Sequence, residues 1–136
     1  MIRFMLDTNI VIYVIKRRPI EVLETFNQYA DQMCISSITL AELMHGVEKS
    51  AVPEKNLRAV EDFISRLEVI DYGSKAANHY GDIRACLERQ GKPIGANDLH
   101  IAAHARSEGL TLVSNNTREF ERVDGLRLLD WVNKHP

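Results

Sequence analysis

The sequence predicts an α/β fold in which about five short, mostly parallel strands form a central sheet flanked by helices. Two observations predict it. Short apolar runs of strand length alternate along the chain with longer segments whose apolar residues have helical spacing. The chain has 136 residues and is 45% hydrophobic, which is enough for one core, so we expect residues 1–136 to form a single domain.

Five short runs are predicted to be the strands. They are residues 2–6, 33–36, 68–71, 110–114 and 126–129. Most of them are apolar without strict alternation, which is typical of strands that are covered by helices on both faces of a sheet. The helical segments between them are long enough for the crossovers that parallel strands require. Neither an internal repeat nor a linker interrupts this order.

Six segments are predicted to be helices. They are residues 10–16, 19–30, 39–49, 53–67, 74–90 and 95–108. Pro19 and Pro53 stand where prolines favour a helix start, and Gly91 and Gly109 stand where glycines favour a helix end. The two helices between the second and third strands would form an extra arm against the sheet.

The overall composition excludes several classes of protein. With 26% charged residues and two widely separated cysteines, the chain is an ordinary globular protein without a disulfide framework. No apolar stretch is long enough to span a bilayer, and the N-terminus lacks the pattern of a signal peptide. We therefore expect a cytoplasmic protein. The net charge of -2 argues against extensive nonspecific binding of nucleic acid but is compatible with a nuclease that carries catalytic carboxylates.

Acidic residues recur where an apolar run gives way to a helix start. Asp7, Glu42 and Asp98 each stand at such a place, and Asn116 with Glu119 stands at a fourth. Ligands of open parallel sheets bind outside the carboxyl ends of the strands, so these side chains would meet there. Clustered carboxylates are suited to Mg2+ or Mn2+, which prefer oxygen ligands. Mg2+ binds such ligands at about 2.1 Å.

Helix capping is a second interpretation of the same positions. Asp7 would cap the helix after the first strand, and Asp98 would lie in the favourable first turn of its helix. Thr39 and Glu42 have the spacing of a capping box, and so does the fourth place. For any one of these residues alone, capping is the simpler explanation, whereas together they favour a metal site.

Competing chemistries fit the sequence less well. The turn after the first strand lacks the glycines that dinucleotide and P-loop sites require. Asn9 stands two residues after Asp7, where a phosphoaspartate phosphatase would have a second acid. His100 and His104 are one helical turn apart, but Ile101 replaces the glutamate of a zinc motif, so a surface or packing role is favoured for both histidines.

Five segments carry these acids and their neighbours in a specific order and spacing. They are residues 4–9 (FMLDTN), 36–43 (SSITLAEL), 94–98 (IGAND), 101–105 (IAAHA) and 112–120 (LVSNNTREF). Along essentially its whole length, the chain resembles PIN-domain ribonucleases, and more closely the VapC-type toxins of bacterial toxin–antitoxin pairs. The individual motifs are short, but their combination is specific.

This resemblance implies a PIN fold and a metal-dependent endoribonuclease site. Asp7, Glu42 and Asp98 would be the acidic triad that binds Mg2+ or Mn2+, with Glu42 acting either as a ligand or by orienting a water molecule. Many relatives have a fourth acid at the position of Asn116. Glu119, one helical turn further on, would supply that charge, or the site would function with three acids. No other cofactor is implied.

The resemblance also implies partners. The substrate would be RNA, with tRNA and the initiator tRNA as the narrower expectation, and a VapB-like antitoxin would block the site. A homodimer and a toxin–antitoxin hetero-oligomer are expected. Lys16, Arg17, Arg84 and Arg118 would guide the RNA backbone to the acids. The alternative is a catalytically weak PIN-like regulatory module whose acidic crevice binds a basic partner peptide, an interpretation motivated by Asn116. A small-molecule phosphatase is a third hypothesis.

Overall fold

A single sheet of five parallel strands forms the centre of the computed structural model, which describes residues 1–132. The strands are β1 (Phe4–Leu6), β2 (Met33–Ser36), β3 (Glu68–Ile70), β4 (Thr111–Val113) and β5 (Arg127–Leu129). Their order across the sheet is β3-β2-β1-β4-β5, and each neighbouring pair is parallel. The predicted fold class is confirmed, and within the described residues the sheet is wholly parallel.

The helices follow the predicted segments closely. They are α1 (Thr8–Lys16), α2 (Ile20–Gln28), α3 (Ser37–Glu48), α4 (Pro53–Ile64), α5 (Ser74–Arg89), α6 (Ala96–Ser107) and α7 (Thr117–Phe120). Helix α7 was predicted only as a helix start and without a range, because a single turn is too short to show periodicity. None of the helices within residues 1–132 is long and apolar enough to cross a membrane.

The start of α3 differs from the sequence prediction. The hydroxyl of Ser36 accepts a hydrogen bond from the backbone N–H of Ile38 at 3.0 Å, so Ser36 is the N-cap and the helix begins before Thr39. The predicted capping box of Thr39 and Glu42 is therefore wrong, and both residues lie within the helix. Ser36 serves because its hydroxyl is available where β2 ends, which allows the helix to follow the strand directly.

Two apolar cores cover the two faces of the sheet. On one face, α1 to α4 pack against Phe4 and Leu6 of β1, and Val60 and Phe63 of α4 belong to this core. The helices α3 and α4, which were predicted to form an extra arm against the sheet, are therefore part of the core on this face. On the other face, α5 and α6 pack against Met5. The strand β1 is buried on both sides, which explains its continuous apolar sequence.

The order of strand addition reverses at β1. The strands β2 and β3 lie on one side of it, and β4 and β5 lie on the other. A crevice forms at such a switch point, outside the carboxyl ends of the central strands. The backbone N–H of Asp7 donates to the carbonyl of Val113 at 2.9 Å, which joins the end of β1 to the end of β4. The chain segments that follow β1, β2 and β4 all begin at this edge of the sheet.

Truncation of Leu112 tests the buried centre of the sheet. Leu112 of β4 is 0% exposed, so Leu112→Ala removes buried methyl groups and leaves a cavity between the sheet and α6. We expect the free energy of unfolding in urea to fall by about 2–5 kcal/mol. Leu129 of β5 is 45% exposed, and Leu129→Ala is the matched control, with an expected loss below about 1 kcal/mol. Equal losses in the two variants would contradict the described burial.

Candidate active site

The five predicted site residues lie at the carboxyl edge of the sheet. Asp7 directly follows β1, Glu42 lies in α3, Asp98 lies in the first turn of α6, Asn116 precedes α7 and Glu119 lies within it. Their proximity is seen in the electrostatics, because the charges of Asp7, Glu42 and Glu119 all raise the pKa of Asp98. The structure therefore brings together side chains from four segments that are far apart in the sequence.

Asp7 is buried and fixed by two hydrogen bonds. One carboxylate oxygen accepts from the backbone N–H of Thr8 at 2.7 Å, and the other accepts from the hydroxyl of Ser114 at 2.7 Å. Burial raises the pKa of Asp7, the two hydrogen bonds oppose this rise, and the nearby charge of Glu42 adds to it. The predicted capping role of Asp7 is confirmed, and the second oxygen is held by a group outside the helix.

Glu42 is held by two neutral donors. The hydroxyl of Thr8 donates to Oε1 at 2.5 Å, and the side-chain amide of Asn97 donates to Oε2 at 3.1 Å. Thr8 belongs to α1 and Asn97 to α6, so both neighbouring helices contact the glutamate of α3. This arrangement fixes the position of the carboxylate without neutralising its charge.

Asp98 and Glu119 form a carboxyl pair. Burial, a hydrogen bond with Glu119 and the charges of Asp7, Glu119 and Glu42 raise the pKa of Asp98 to about 7. Asp98 therefore retains a proton up to near neutral pH when no cation is bound, and it forms a hydrogen bond with Glu119. The side-chain amide of Asn116 donates to Glu119 at 3.3 Å. Glu119 thus reaches the acidic cluster from the helical turn that follows Asn116.

Asn116 and Glu119 do not form a capping box. Asn116 is the N-cap of α7, but its side chain makes no capping hydrogen bond. Its backbone N–H donates instead to the hydroxyl of Ser114 at 2.9 Å, and its side chain turns to Glu119. The capping-box interpretation of Asn116 and Glu119 is therefore wrong, and the local geometry directs Glu119 towards Asp98.

The donor set of this cluster fits a hard divalent cation. Carboxylate oxygens are the ligands that Mg2+ and Mn2+ prefer. Burial and the neighbouring negative charges raise the pKa of Asp98, and a cation would relieve the repulsion between these charges. Among residues 1–132, no three acidic, histidine or cysteine side chains stand in a ready-made coordination geometry. Cation binding therefore requires Asp98 to release the proton that its raised pKa retains.

Three neighbours of the acids were not among the predicted site residues. The hydroxyl of Ser114 donates to Asp7. The hydroxyl of Thr8 and the side-chain amide of Asn97 both donate to Glu42. Two of them are adjacent in sequence to a predicted acid, and each carries a short polar side chain. That adjacency is a usable signal, but the sequence does not reveal which acid each donor contacts, because the partner lies on another segment.

The two histidines of α6 have packing roles, as predicted. His104 is buried, and its Nδ1 lies 2.8 Å from the hydroxyl of Ser36. His100 lies 2.8 Å from the hydroxyl of Tyr72 through its Nδ1 and stacks on the ring of Tyr80 at 4.3 Å. Burial lowers the pKa of both histidines, so they are neutral in the folded protein near pH 7.

An apolar groove adjoins the acids. It begins at Thr8 and Glu42 and runs between α1, α3 and α4. Its walls are mainly aliphatic, and they include Ile12, Ile15, Leu43, Val47 and Val60. Lys16 also lines this groove, whose end at Glu42 opens beside the acidic cluster.

Comparison with known proteins shows a similarity over almost the whole chain. A model of the PIN domain family matches residues 4–126. Ribonuclease VapC2 of Haemophilus influenzae is 65% identical to this chain, covering 97% of the chain and 100% of the relative. The tRNA(fMet)-specific endonuclease VapC of Shigella flexneri is 59% identical, with 96% and 99% coverage. A crystal structure of DNA-bound VapBC from Salmonella typhimurium has a TM-score of 0.93 at 57% identity, covering 96% of this chain and 99% of that one.

Proposed function

The chain belongs to the PIN-domain family, and from that premise we propose that it is a metal-dependent endoribonuclease toxin. The observation that carries this proposal is the convergence of four acidic side chains at the switch point of a parallel sheet, where burial and their mutual interactions raise the pKa of Asp98 to about 7. The high identity to relatives that are named ribonucleases supports the same reaction class. We propose that residues 1–136 act as one domain.

In the proposed site, Asp7, Glu42 and Asp98 hold the divalent cation, and Asn116 and Glu119 complete its surroundings. When bound, Mg2+ or Mn2+ would stabilise the charge that develops on the phosphodiester and lower the pKa of the attacking water. Asp7 contributes a fixed carboxylate, because both of its oxygens are already held by protein donors. Asp98 contributes charge when it releases its proton, and Asn116 orients Glu119 through its amide.

RNA is the proposed substrate, and tRNA, including initiator tRNA, is the narrower proposal. The tRNA(fMet) specificity named for the Shigella flexneri relative supports it. Lys16, Arg17 and Arg118 are exposed and remain candidates for contacts with the RNA backbone. Arg84 is already bonded to Tyr80 and to another side chain of α5, which makes it a weaker candidate than the other three. An RNA substrate is consistent with a cytoplasmic location, which we also propose.

A VapB-like antitoxin is the proposed protein partner, within a hetero-oligomer that contains a homodimer of this chain. The similarity to solved VapBC complexes supports the toxin–antitoxin part of this assembly. The apolar groove that begins at Thr8 and Glu42 offers such a partner a surface beside the acids. A basic side chain delivered from that groove would neutralise the carboxylates and exclude the cation, which provides a physical basis for inhibition.

The test of the proposed activity is cleavage of purified tRNA by antitoxin-free protein in Mg2+ or Mn2+. We expect discrete fragments, and we expect EDTA to abolish them because the carboxylates cannot substitute for the cation. Adding back excess Mg2+ should restore cleavage. Sequencing of the fragment ends from total RNA identifies the target and the cut site.

Three outcomes would contradict the proposal. An intact tRNA pool together with tight binding of a basic peptide would favour the regulatory module whose crevice binds a partner. Turnover of a simple phosphomonoester without RNA cleavage would favour the phosphatase. Fragments that persist in EDTA would show that the cleavage does not depend on a divalent cation.

A further inference from the structure

The carboxylate of Glu42 is held from two sides by residues of other helices. Thr8 of α1 donates its hydroxyl to Oε1 at 2.5 Å, and Asn97 of α6 donates its side-chain amide to Oε2 at 3.1 Å. The hydroxyl of Thr39 lies 3.4 Å from that of Thr8 and adds a further polar contact on the same side. Both oxygens of Glu42 therefore have a fixed donor.

A glutamate in this position requires such donors. Its side chain is long and only partly buried, and the like charges of Asp7 and Asp98 favour rotamers that point into solvent. Within residues 1–132, no ion pair involves Glu42, so its charge is not consumed by a lysine or an arginine. Neutral donors overcome the repulsion locally and keep the full negative charge available.

Asn97 has no evident structural role apart from this contact. It is exposed in the first turn of α6, whose N-cap is Gly95, and asparagine is a weak helix former at such a position. Its amide reaches Glu42 across 55 positions of sequence. Because Asn97 directly precedes Asp98, this hydrogen bond fixes the distance between the acids of α3 and α6.

We infer that Thr8 and Asn97 are positioning residues of the acidic cluster, which hold Glu42 in place for a divalent cation through its two oxygens. The inference depends on the proposed function only for the identity of the cation site. Groups that orient a metal ligand contribute strongly, and their loss typically costs about 10–100-fold in metal affinity or activity. Neither residue touches the substrate in this role.

The test measures Mg2+ affinity apart from activity, from the rise of the thermal unfolding midpoint with Mg2+ concentration. Asn97→Ala and Thr8→Val each remove one donor, and the second change preserves the shape of the side chain. We expect each to weaken Mg2+ binding by about 10–100-fold and to leave the unfolding midpoint of the metal-free protein near the wild-type value. With RNA, kcat should fall at low Mg2+ and recover at high Mg2+, while KM stays unchanged.

Two control variants make the result specific. Thr8→Ser keeps the hydroxyl and should restore Mg2+ affinity to within about threefold of wild type. Asn78→Ala removes an exposed amide from α5 and should leave the affinity unchanged. Wild-type Mg2+ affinity in both Asn97→Ala and Thr8→Val would overturn the inference. A loss of affinity in only one variant would overturn the claim that both residues position Glu42.

Failure of this inference is distinguishable from failure of the proposed function. If the wild-type protein binds Mg2+, the two variants weaken that binding, and no RNA is cleaved, then the positioning role stands and the endoribonuclease proposal fails. If RNA is cleaved in a metal-dependent way and the two variants bind Mg2+ as wild type does, the proposed function stands and the positioning role fails.

Discussion

Replacing Asp7 with asparagine is expected to reduce metal-dependent RNA cleavage by more than about 100-fold. Loss of a group that merely orients a metal ligand costs up to about 100-fold, and Asp7 is proposed to be a ligand itself. The fold should remain intact, because an asparagine oxygen can still accept from the N–H of Thr8 and its amide can face the hydroxyl of Ser114. The unfolding midpoint without metal should be unchanged or higher, since a buried charge and its repulsion with Glu42 are removed.

The matched control for this variant is Asp31→Asn. Asp31 is exposed before β2, at the opposite edge of the sheet, and its positive φ of 76° is readily adopted by asparagine. This substitution makes the same chemical change away from the acids and should leave cleavage unaffected. Initial rates at saturating Mg2+ provide the measurement. Full activity in Asp7→Asn would remove Asp7 from the proposed site.

The stabilisation of the protein by Mg2+ is expected to grow as pH rises towards 7. The pKa of Asp98 is raised from 3.8 to about 7, so in this window the metal-free folded protein keeps a proton that the unfolded chain releases. The metal-free protein therefore loses the contribution of this group to stability as pH rises through the window. Mg2+ must displace the same proton, so its affinity should increase by up to about tenfold per pH unit and level off above about pH 7.

Asp98→Asn separates this effect from other titrations. Burial lowers the pKa of His100 and His104, and for these groups the sign is opposite, because stability is lost as pH falls through the shifted values. The comparison is therefore between wild type and Asp98→Asn, in thermal unfolding scans with and without Mg2+ from about pH 5 to about pH 8. An identical pH dependence of the Mg2+ effect in the two proteins would refute the assignment to Asp98.

Much of the fold was predictable because local signals agree with the global arrangement. The apolar runs at β1 and β2 are buried strands, and proline and glycine mark the ends of several helices close to their observed positions. Three acids could be placed at the active edge because a parallel sheet brings the carboxyl ends of its strands together. That inference required only that the sheet be parallel, which the alternation of strands and helices already indicates.

The errors have specific physical causes. Thr39 matches a capping box by spacing, yet Ser36 is nearer to the strand end and takes the N-cap role first. The single turn of α7 carries no periodicity, although it decides whether Glu119 reaches Asp98. The hydrogen bond from Asn97 to Glu42 joins two helices, and spacing in the sequence contains no information about such a pair.

The hydrogen bond between Ser114 and Asp7 joins positions that are 107 residues apart. An N-terminal fragment that ends before β4 therefore contains Asp7 and Glu42 but lacks the group that fixes Asp7 and the acid that pairs with Asp98. During translation, the cluster cannot be completed until residues 114–119 have emerged from the ribosome. A nascent chain that lacks β4 and α7 therefore cannot hold Asp7 and Asp98 in the arrangement of the folded protein.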